Sequence, residues 1–208
     1  MPHKKINWEQ TAHKLAKVAS RGTHSVLNDF GRTLEYYRPL QNLIKKNLPK
    51  IEGAKILHVG SSSGLLIRDL QSRGATAIAF DLNKLGARIS KEIGNKRTIT
   101  GDALMLPFKS NSVDAIISDH FVAALYAFVT RHPSKVSERD WKVLDEMKRV
   151  LKKGGVAFVY RYNIENYPDL IKRAEAMGFS VVEKGTKKFK DPGKKTDFFA
   201  NYVVLKKN

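Results

Sequence analysis

Two stretches of the chain combine residue types that could hold a nucleotide-like ligand. Lys55 to Gly64 reads KILHVGSSSG, an apolar run followed by a turn of glycines and serines. Asp81 ends the next apolar run, 21 residues after Gly60. Small residues let a ligand approach the backbone, and the start of the following helix offers free N–H groups. A carboxylate at the end of the next strand is suited to accept hydrogen bonds from ribose hydroxyls.

The turn departs from the two common phosphate-binding patterns. The dinucleotide fingerprint needs G-x-G-x-x-G, whereas the chain has G-x-S-x-G followed by Leu65 and Leu66. The P-loop needs a lysine directly after its second glycine, and none follows Gly64. Taken alone, the turn could also be a tight structural turn without a ligand. Asp81 could likewise cap the helix that begins near Lys84.

The elements that must position these residues alternate between strand and helix patterns. Short apolar runs predict strands at residues 54–59, 76–80, 97–100, 113–118, 156–160, 179–183 and 198–205. Helical spacing predicts helices at residues 8–20, 25–48, 65–72, 84–92, 121–130, 137–151 and 166–177. Pro39 should break or kink the second of these helices. The alternation predicts a parallel sheet with helices on both faces, and the last two strands, with no helix between them, should form an antiparallel edge pair.

Five segments in this order resemble the class I S-adenosylmethionine-dependent methyltransferases, in particular their type 11 group. They are the glycine–serine turn, Asp81, GDALMLPF at 101–108, NSVD at 111–114 and LKKGG at 151–155. The resemblance covers about residues 35–205. It implies an α/β fold with a Rossmann-like, seven-stranded, mostly parallel sheet, helices on both faces and an antiparallel C-terminal edge hairpin. It also implies S-adenosylmethionine as cofactor and methyl transfer to an acceptor that the motifs do not name.

The resemblance further implies one structural unit with two parts. Residues 1–50 would be N-terminal helices on the lid and substrate side, and residues 51–208 the cofactor-binding domain. The implied cofactor-binding residues are Tyr37, His58, Gly60, Ser61, Ser62, Gly64, Asp81, Leu82, Asp102, Ala103 and Ser118. Of these, Asp81 would bind the ribose hydroxyls and Leu82 would pack on the adenine. Asp102, beside Ala103, would accept from the adenine amino group, and Ser118 would lie near the reacting methyl.

Two positions depart from the family pattern. His58 stands where the family usually has an acidic residue, and Ser62 replaces the middle glycine. A histidine is a poorer partner for the ammonium group of the cofactor, above all if it is protonated. Ser62 adds a Cβ where backbone and ligand approach closely, although its hydroxyl could also bind. The two changes could lower affinity or mark a site without turnover; for His58 we favour a buried, hydrogen-bonded strand residue over a catalytic role.

Asp119 and His120 follow the fourth predicted strand, on the side where the methyl acceptor would lie. Methyl transfer from a sulfonium mainly requires alignment, and a base is needed only if the acceptor must lose a proton. Either residue could be that base or could orient an amine. Equally, Asp119 could cap a helix and His120 could face solvent. We expect no metal ion in the site.

The charge balance suggests a polyanionic partner. The chain has 38 basic and 20 acidic residues, a net charge of +18, with the excess concentrated at residues 1–50 and 184–208. A basic surface of this kind attracts nucleic acid, so RNA or a ribonucleoprotein is a candidate acceptor beside a small molecule. The predicted loop GTKKFKDPGKK carries Phe189, which could stack on a base; the alternative is a solvated loop.

The remaining composition bounds the possible classes. The chain has no cysteine, which excludes disulfides and cysteine–zinc sites. It shows no signal-peptide pattern and no apolar run near the roughly 20 residues of a membrane span, so we expect a cytoplasmic protein that does not enter membranes. Besides an active methyltransferase, two alternatives stay open: a non-catalytic cofactor-binding module and an RNA-binding protein built on the same fold.

Overall fold

Seven strands form one sheet, and its carboxyl edge carries the predicted site. The computed structural model describes residues 34–119, 138–162, 170–190 and 197–208. The strands are β1 (Lys55–Val59), β2 (Thr76–Asp81), β3 (Thr98–Thr100), β4 (Val113–Asp119), β5 (Leu151–Tyr162), β6 (Phe179–Lys190) and β7 (Asp197–Lys207). Their order across the sheet is β3-β2-β1-β4-β5-β7-β6.

Strands β1 to β5 pair in parallel, whereas β7 runs antiparallel to both β5 and β6. The strand order reverses between β1 and β4, which is where ligands bind in open sheets of this type. The predicted fold class, a mostly parallel seven-stranded sheet with an antiparallel C-terminal edge hairpin, is confirmed.

Helices pack on both faces of the sheet. They are α1 (Leu34–Asn47), α2 (Leu65–Ser72), α3 (Lys84–Glu92), α4 (Glu138–Val150) and α5 (Leu170–Ala176). Helices α1, α2 and α3 bury their apolar side chains in one core cluster, and α4 and α5 bury theirs in a second cluster on the opposite face. Side chains of β1 alternate between the two, with Ile56 in the first and Leu57 and Val59 in the second.

The sequence predicted that the glycine pair of LKKGG stops the preceding helix; instead, the helix ends at Val150 and the glycines lie inside a strand. β5 begins at Leu151, four residues before Gly155. Val113 pairs with Leu151 but Ala115 pairs with Val156, so the extra residues of β5 form a bulge. A Cβ on Gly155 would lie 3.0 Å from the Asp114 carbonyl oxygen, which is why a glycine is needed there.

The C-terminal hairpin is also longer than predicted. The strands expected at 179–183 and 198–205 extend to Phe179–Lys190 and Asp197–Lys207. The lysine-rich segment expected as a loop is therefore mostly strand, as far as Lys190. Lysines are tolerated there because β6 is an edge strand of the sheet, where charge does not have to be buried.

Of the remaining predictions, some can be compared with the structure and others fall outside the described residues. A break or a kink was predicted at Pro39; the break is wrong, because helix α1 continues through Pro39 to Asn47. The predicted helices at 8–20 and 121–130, together with His120, lie outside the described residues. Within the described ranges no helix is both long and apolar enough to cross a bilayer. Nor do those ranges contain a group of three or more acidic, histidine or cysteine side chains that could hold a metal.

Candidate cofactor-binding site

The glycine–serine turn after β1 is tied to the end of β2. The backbone N–H groups of Gly60 and Ser61 both donate to the Phe80 carbonyl oxygen, at 2.9 and 3.1 Å. Gly60, Ser62 and Gly64 all have positive φ, at 74°, 47° and 72°. Ser62 is thus a non-glycine residue in the left-handed region, where a Cβ is disfavoured. The turn then leads directly into α2.

Asp81 holds this turn in place. Its Oδ2 accepts from the Ser62 N–H at 2.7 Å, and its Oδ1 accepts from the Asn83 N–H at 2.8 Å. Helix α3 is capped by Asn83, whose side chain accepts from Leu85 and Gly86, so Asp81 is not its cap. A carboxylate has about four acceptor positions, so Asp81 can still receive ribose hydroxyls. The sequence predicted Asp81 as a site residue but did not predict its bond to Ser62.

Gly64 is a glycine for a packing reason. A Cβ on Gly64 would lie 2.5 Å from both Asn95 Nδ2 and Ser90 Oγ. Asn95 Nδ2 donates to the Gly64 carbonyl oxygen at 2.9 Å and to Ser90 Oγ at 2.8 Å. Asn95 and Ser90 therefore support the turn from the side of α3, and sequence reasoning missed them because no motif marks either residue.

Three polar side chains at the carboxyl ends of β1 and β4 are buried without hydrogen bonds. His58, Ser61 and Ser118 are 2%, 4% and 0% exposed. Neither ring nitrogen of His58, nor the hydroxyls of Ser61 and Ser118, has a hydrogen-bond partner in the part of the chain that the structure describes. His58 points to the α1 side of the sheet and Ser118 to the α4 side, by the alternation of their strands. These groups can accept or donate to a ligand at the sheet edge, which is what a small polar cofactor requires.

His58 is buried as expected, but the expected hydrogen bond is absent among the described residues. Burial lowers the pKa of His58 to about 4, although the carboxylates of Asp119 and Asp81 act in the opposite direction. The imidazole is therefore neutral at physiological pH. A neutral ring can accept a hydrogen bond from an ammonium group, so the objection that it would repel a cationic cofactor does not hold.

Asp119 ends β4 and lies on the same face of the sheet as His58. It is 7% exposed and pairs in register with Tyr160 of β5. Tyr37 of α1 is buried in the core cluster on this face, which also contains Tyr160. The structure thus brings Asp119, His58 and Tyr37 to one side of the sheet.

The side of the site near β2 and β3 is apolar and open. Leu82, directly after Asp81, is 68% exposed, and Met105 is 79% exposed. Asp102 Oδ1 accepts from the Leu104 N–H at 2.9 Å and shapes the loop after β3, in which Ala103 is buried. Exposed apolar side chains beside carboxylates suit a flat heterocycle with polar edges. Met105 was not predicted as a site residue.

Comparison with known proteins agrees with this geometry. A model of the type 11 methyltransferase-domain family matches residues 57–159. The ubiquinone/menaquinone biosynthesis C-methyltransferase UbiE of Sinorhizobium fredii is 27% identical over 189 residues, covering 83% of this chain and 64% of that protein. The chain spans between 20% and 65% of the length of the curated relatives that it matches.

Solved structures share the fold. Magnesium protoporphyrin IX methyltransferase of Synechocystis, solved with bound S-adenosylmethionine, has a TM-score of 0.65 and 13% identity over 94% of this chain and 90% of its own. A Haloferax volcanii methyltransferase in complex with the activator Trm112 has a TM-score of 0.67 and 16% identity over 94% and 96% of the two chains. Residues 57–159 thus match a methyltransferase-domain family, and the chain shares the fold of class I methyltransferases, one of which was solved with bound S-adenosylmethionine.

Proposed function

We propose that the chain is a methyltransferase that binds S-adenosylmethionine at the carboxyl ends of β1, β2 and β4. The observation that carries the proposal is the set of buried polar groups on His58, Ser61 and Ser118 that lack partners among the described residues. Leaving such groups unsatisfied costs free energy, and a bound ligand would recover it. A polar cofactor across this edge fits them.

The residues present fit each part of this cofactor. The turn and the neutral His58 ring would receive its methionine end, with the buried Asp119 carboxylate on the same side of the sheet. Asp81 would accept from the ribose hydroxyls while holding the Ser62 N–H. Leu82 would cover one face of the adenine. When bound, S-adenosylmethionine supplies a methyl group on a sulfonium, which is an activated leaving group.

The work left to the protein is alignment and the exclusion of water. The turn is fixed by Asp81 at one end and by the Phe80 carbonyl oxygen at the other, so its N–H groups have set directions. Asp119 lies at the edge where an acceptor would enter, and we propose it as the group that orients an amine or takes a proton from the acceptor. His120, the second residue predicted for this role, stays a sequence-based proposal.

The acceptor is proposed to be an RNA or a ribonucleoprotein, with a small molecule as the alternative. The net charge of +18 supports the first. A Haloferax protein of the same fold assembles with the activator Trm112, and UbiE of Sinorhizobium fredii is named a C-methyltransferase of quinone biosynthesis. We further propose that the chain works in the cytoplasm and that residues 1–50 form the acceptor side.

A second candidate function is cofactor binding without turnover. Ser62 in the left-handed region, where the family usually has glycine, favours this reading because its Cβ would stand close to a cofactor bound at the turn. The two candidate functions both require cofactor binding, but only the first includes transfer of the methyl group. The second would bind the cofactor yet transfer no label from methyl-labelled S-adenosylmethionine to RNA or to a small-molecule extract.

Calorimetric titration with S-adenosylmethionine and S-adenosylhomocysteine tests the site itself. We expect both to bind in the micromolar range. Adenosine, which lacks the methionine end, should bind at least about tenfold more weakly, because removing one hydrogen bond to a charged group costs about 1.5–3 kcal/mol. No heat with either full ligand at millimolar concentration would overturn the proposal.

A further inference from the structure

The C-terminal hairpin projects past the carboxyl edge of the sheet. The pairing of β5 with β7 ends at Tyr162 and Asn201. The pairing of β6 with β7 continues from Asn201 outward to Lys190 and Asp197. Because β7 runs antiparallel to β5, this projecting part lies at the edge that also carries the turn after β1. The hairpin therefore overhangs the side of the sheet from which an acceptor would approach the proposed site.

One face of this overhang combines lysines with an exposed aromatic ring. Opposite residues of an antiparallel pair point to the same face, and alternate residues along each strand share it. Lys188 lies opposite Phe199, and Thr186 lies opposite Asn201 and hydrogen-bonds to it at 2.9 Å between Oγ1 and Oδ1. Lys184 follows on the same face. We call these five residues the basic hairpin face.

The opposite face of the hairpin is anchored to the body of the protein. Lys187 Nζ lies 5.6 Å from the centre of the Tyr202 ring. The Tyr202 hydroxyl donates to Glu183 Oε1 at 3.0 Å, and Glu183 Oε2 accepts from Asn47 of α1 at 3.1 Å and pairs with Lys46 at 3.0 Å. These bonds hold the hairpin against α1. The basic hairpin face is thereby turned away from the packed side.

The lysines on this edge strand could be explained without a ligand, since charged side chains keep edge strands from pairing with other chains. Phe199 does not fit that explanation. Its side chain is 70% exposed, although it lies in the middle of a strand between residues that pair. An aromatic ring with lysines beside it on the same face is an arrangement by which proteins stack bases and neutralise the backbone of a single strand.

We propose that the basic hairpin face binds single-stranded RNA at the carboxyl edge of the sheet. It deepens the proposed function by naming a surface for an RNA acceptor, but RNA binding itself does not need the cofactor. Phe199 would stack on a base, Lys188 opposite it would contact a phosphate next to that base, and Lys184, further along the same face, would contact a second phosphate. Thr186 and Asn201 are the polar groups between them.

The test is fluorescence anisotropy with a fluorescein-labelled RNA of about 12 nucleotides and mixed sequence, a length within the range of known single-strand sites. Lys184→Glu/Lys188→Glu should weaken binding at about 0.1 M salt by at least tenfold and flatten the log–log salt slope by about 1.4, since each single-strand phosphate contact contributes about 0.7. Phe199→Ser should weaken binding about fivefold or more at every salt concentration, because stacking is not screened.

The matched control is Lys153→Glu/Lys206→Glu. Both lysines are exposed and lie at the amino end of the parallel strands, so the net charge changes equally on the opposite edge. We expect this control to change RNA affinity by less than about threefold, as distant exposed charges are largely screened. Equal losses in the control and in the hairpin variant would overturn the proposal, as would wild-type protein that does not bind this RNA.

Calorimetry with S-adenosylhomocysteine on the same variants separates the two proposals. Hairpin variants that bind the cofactor product as wild type does, but have lost RNA, support the hairpin assignment and show that the variants are folded. Wild-type protein that binds S-adenosylhomocysteine but no RNA would overturn the hairpin proposal and leave the proposed function intact. RNA bound through the hairpin by a protein that takes up no cofactor would overturn the proposed function alone.

Discussion

Replacing Ser62 by glycine tests whether this departure from the family pattern is strain or chemistry. Ser62 has a φ of 47° and gives its N–H to Asp81 Oδ2 at 2.7 Å. Its carbonyl oxygen would lie 3.0 Å from a Cβ on Gly86, so the backbone here is closely packed. The side chain has two possible effects: its Cβ strains the backbone, and its hydroxyl can contact a ligand. Ser62→Gly removes both, and Ser62→Ala removes only the hydroxyl.

The expected change in stability follows from the backbone conformation. A left-handed residue with a Cβ costs about 1–2 kcal/mol. Glycine also makes the unfolded chain more flexible, which offsets about 0.4–1 kcal/mol of the gain from relieving this strain. Ser62→Gly should therefore raise the free energy of unfolding by roughly 0.5–1 kcal/mol. For a chain of this size, that corresponds to a melting temperature about 1–4 °C higher. Ser62→Ala keeps the strain, so its melting temperature should not exceed that of wild type.

The assay is thermal unfolding followed by circular dichroism, with calorimetric titration of S-adenosylhomocysteine on the same samples. We expect Ser62→Gly to bind at least as tightly as wild type and Ser62→Ala to bind as wild type does. The strain argument fails if Ser62→Gly melts no higher than Ser62→Ala. If both variants bind about tenfold more weakly, the hydroxyl holds the ligand and Ser62 is part of the site chemistry.

Two further substitutions address the carboxylate and the histidine. Asp81→Asn must turn an amide N–H₂ toward either the Ser62 or the Asn83 N–H, so one charge-assisted hydrogen bond is lost. Calorimetry should then show that S-adenosylhomocysteine binds at least about tenfold more weakly. Unchanged affinity would refute the ribose assignment. His58 has a pKa of about 4 when folded, below its ordinary 6.5, so its stabilising contribution is complete above pH 6.5 and is lost as the pH falls toward 4. Between pH 7.5 and pH 5 urea titration should show wild type losing about 2 kcal/mol more than His58→Gln; equal losses would show that the ring is not held neutral.

The sheet could be predicted from the sequence because each inner strand is a continuous apolar run bounded by turn residues. Parallel strands covered on both faces need such runs, and β1, β2 and β4 supply them. Helices α2 and α3 were predicted at their observed bounds, because Gly64 and Asn83 mark where they begin. For both helices, local signals and tertiary packing point to the same structure.

Two mispredicted segments have a structure that depends on pairing with another strand. LKKGG has the composition of a helix stop, yet the bulge at Gly154 and Gly155 lets β5 start earlier and stay paired with β4. Residues 184–190 have the composition of a loop, yet β7 gives them backbone partners as far as Lys190. Hydrogen bonding to a partner strand outweighs local propensity at such positions, and composition alone does not reveal the pairing.

The candidate site likewise has features that the sequence predicted and features that it did not. The types and spacing of Asp81 and the turn predicted where the site lies, because they follow strand ends directly. They did not predict that Asp81 holds the Ser62 N–H or that Asn95 supports Gly64. The burial of His58 was predicted, but the absence of a hydrogen-bond partner for its ring among the described residues was not, because that depends on which side chains the fold brings near it.

The two departures from the family pattern do not argue for a site that has lost its ligand. Burial keeps His58 neutral, and Asp81 satisfies the N–H of Ser62, so neither substitution disrupts the edge of the sheet. Among the described residues at this edge of the sheet, the His58 ring and the hydroxyls of Ser61 and Ser118 are buried without a hydrogen-bond partner. Each such group costs about 1–3 kcal/mol unless something binds it. Without a ligand, these unsatisfied groups would only destabilise the folded protein. A cofactor that hydrogen-bonds to them would remove this penalty, and the gain would appear as binding free energy.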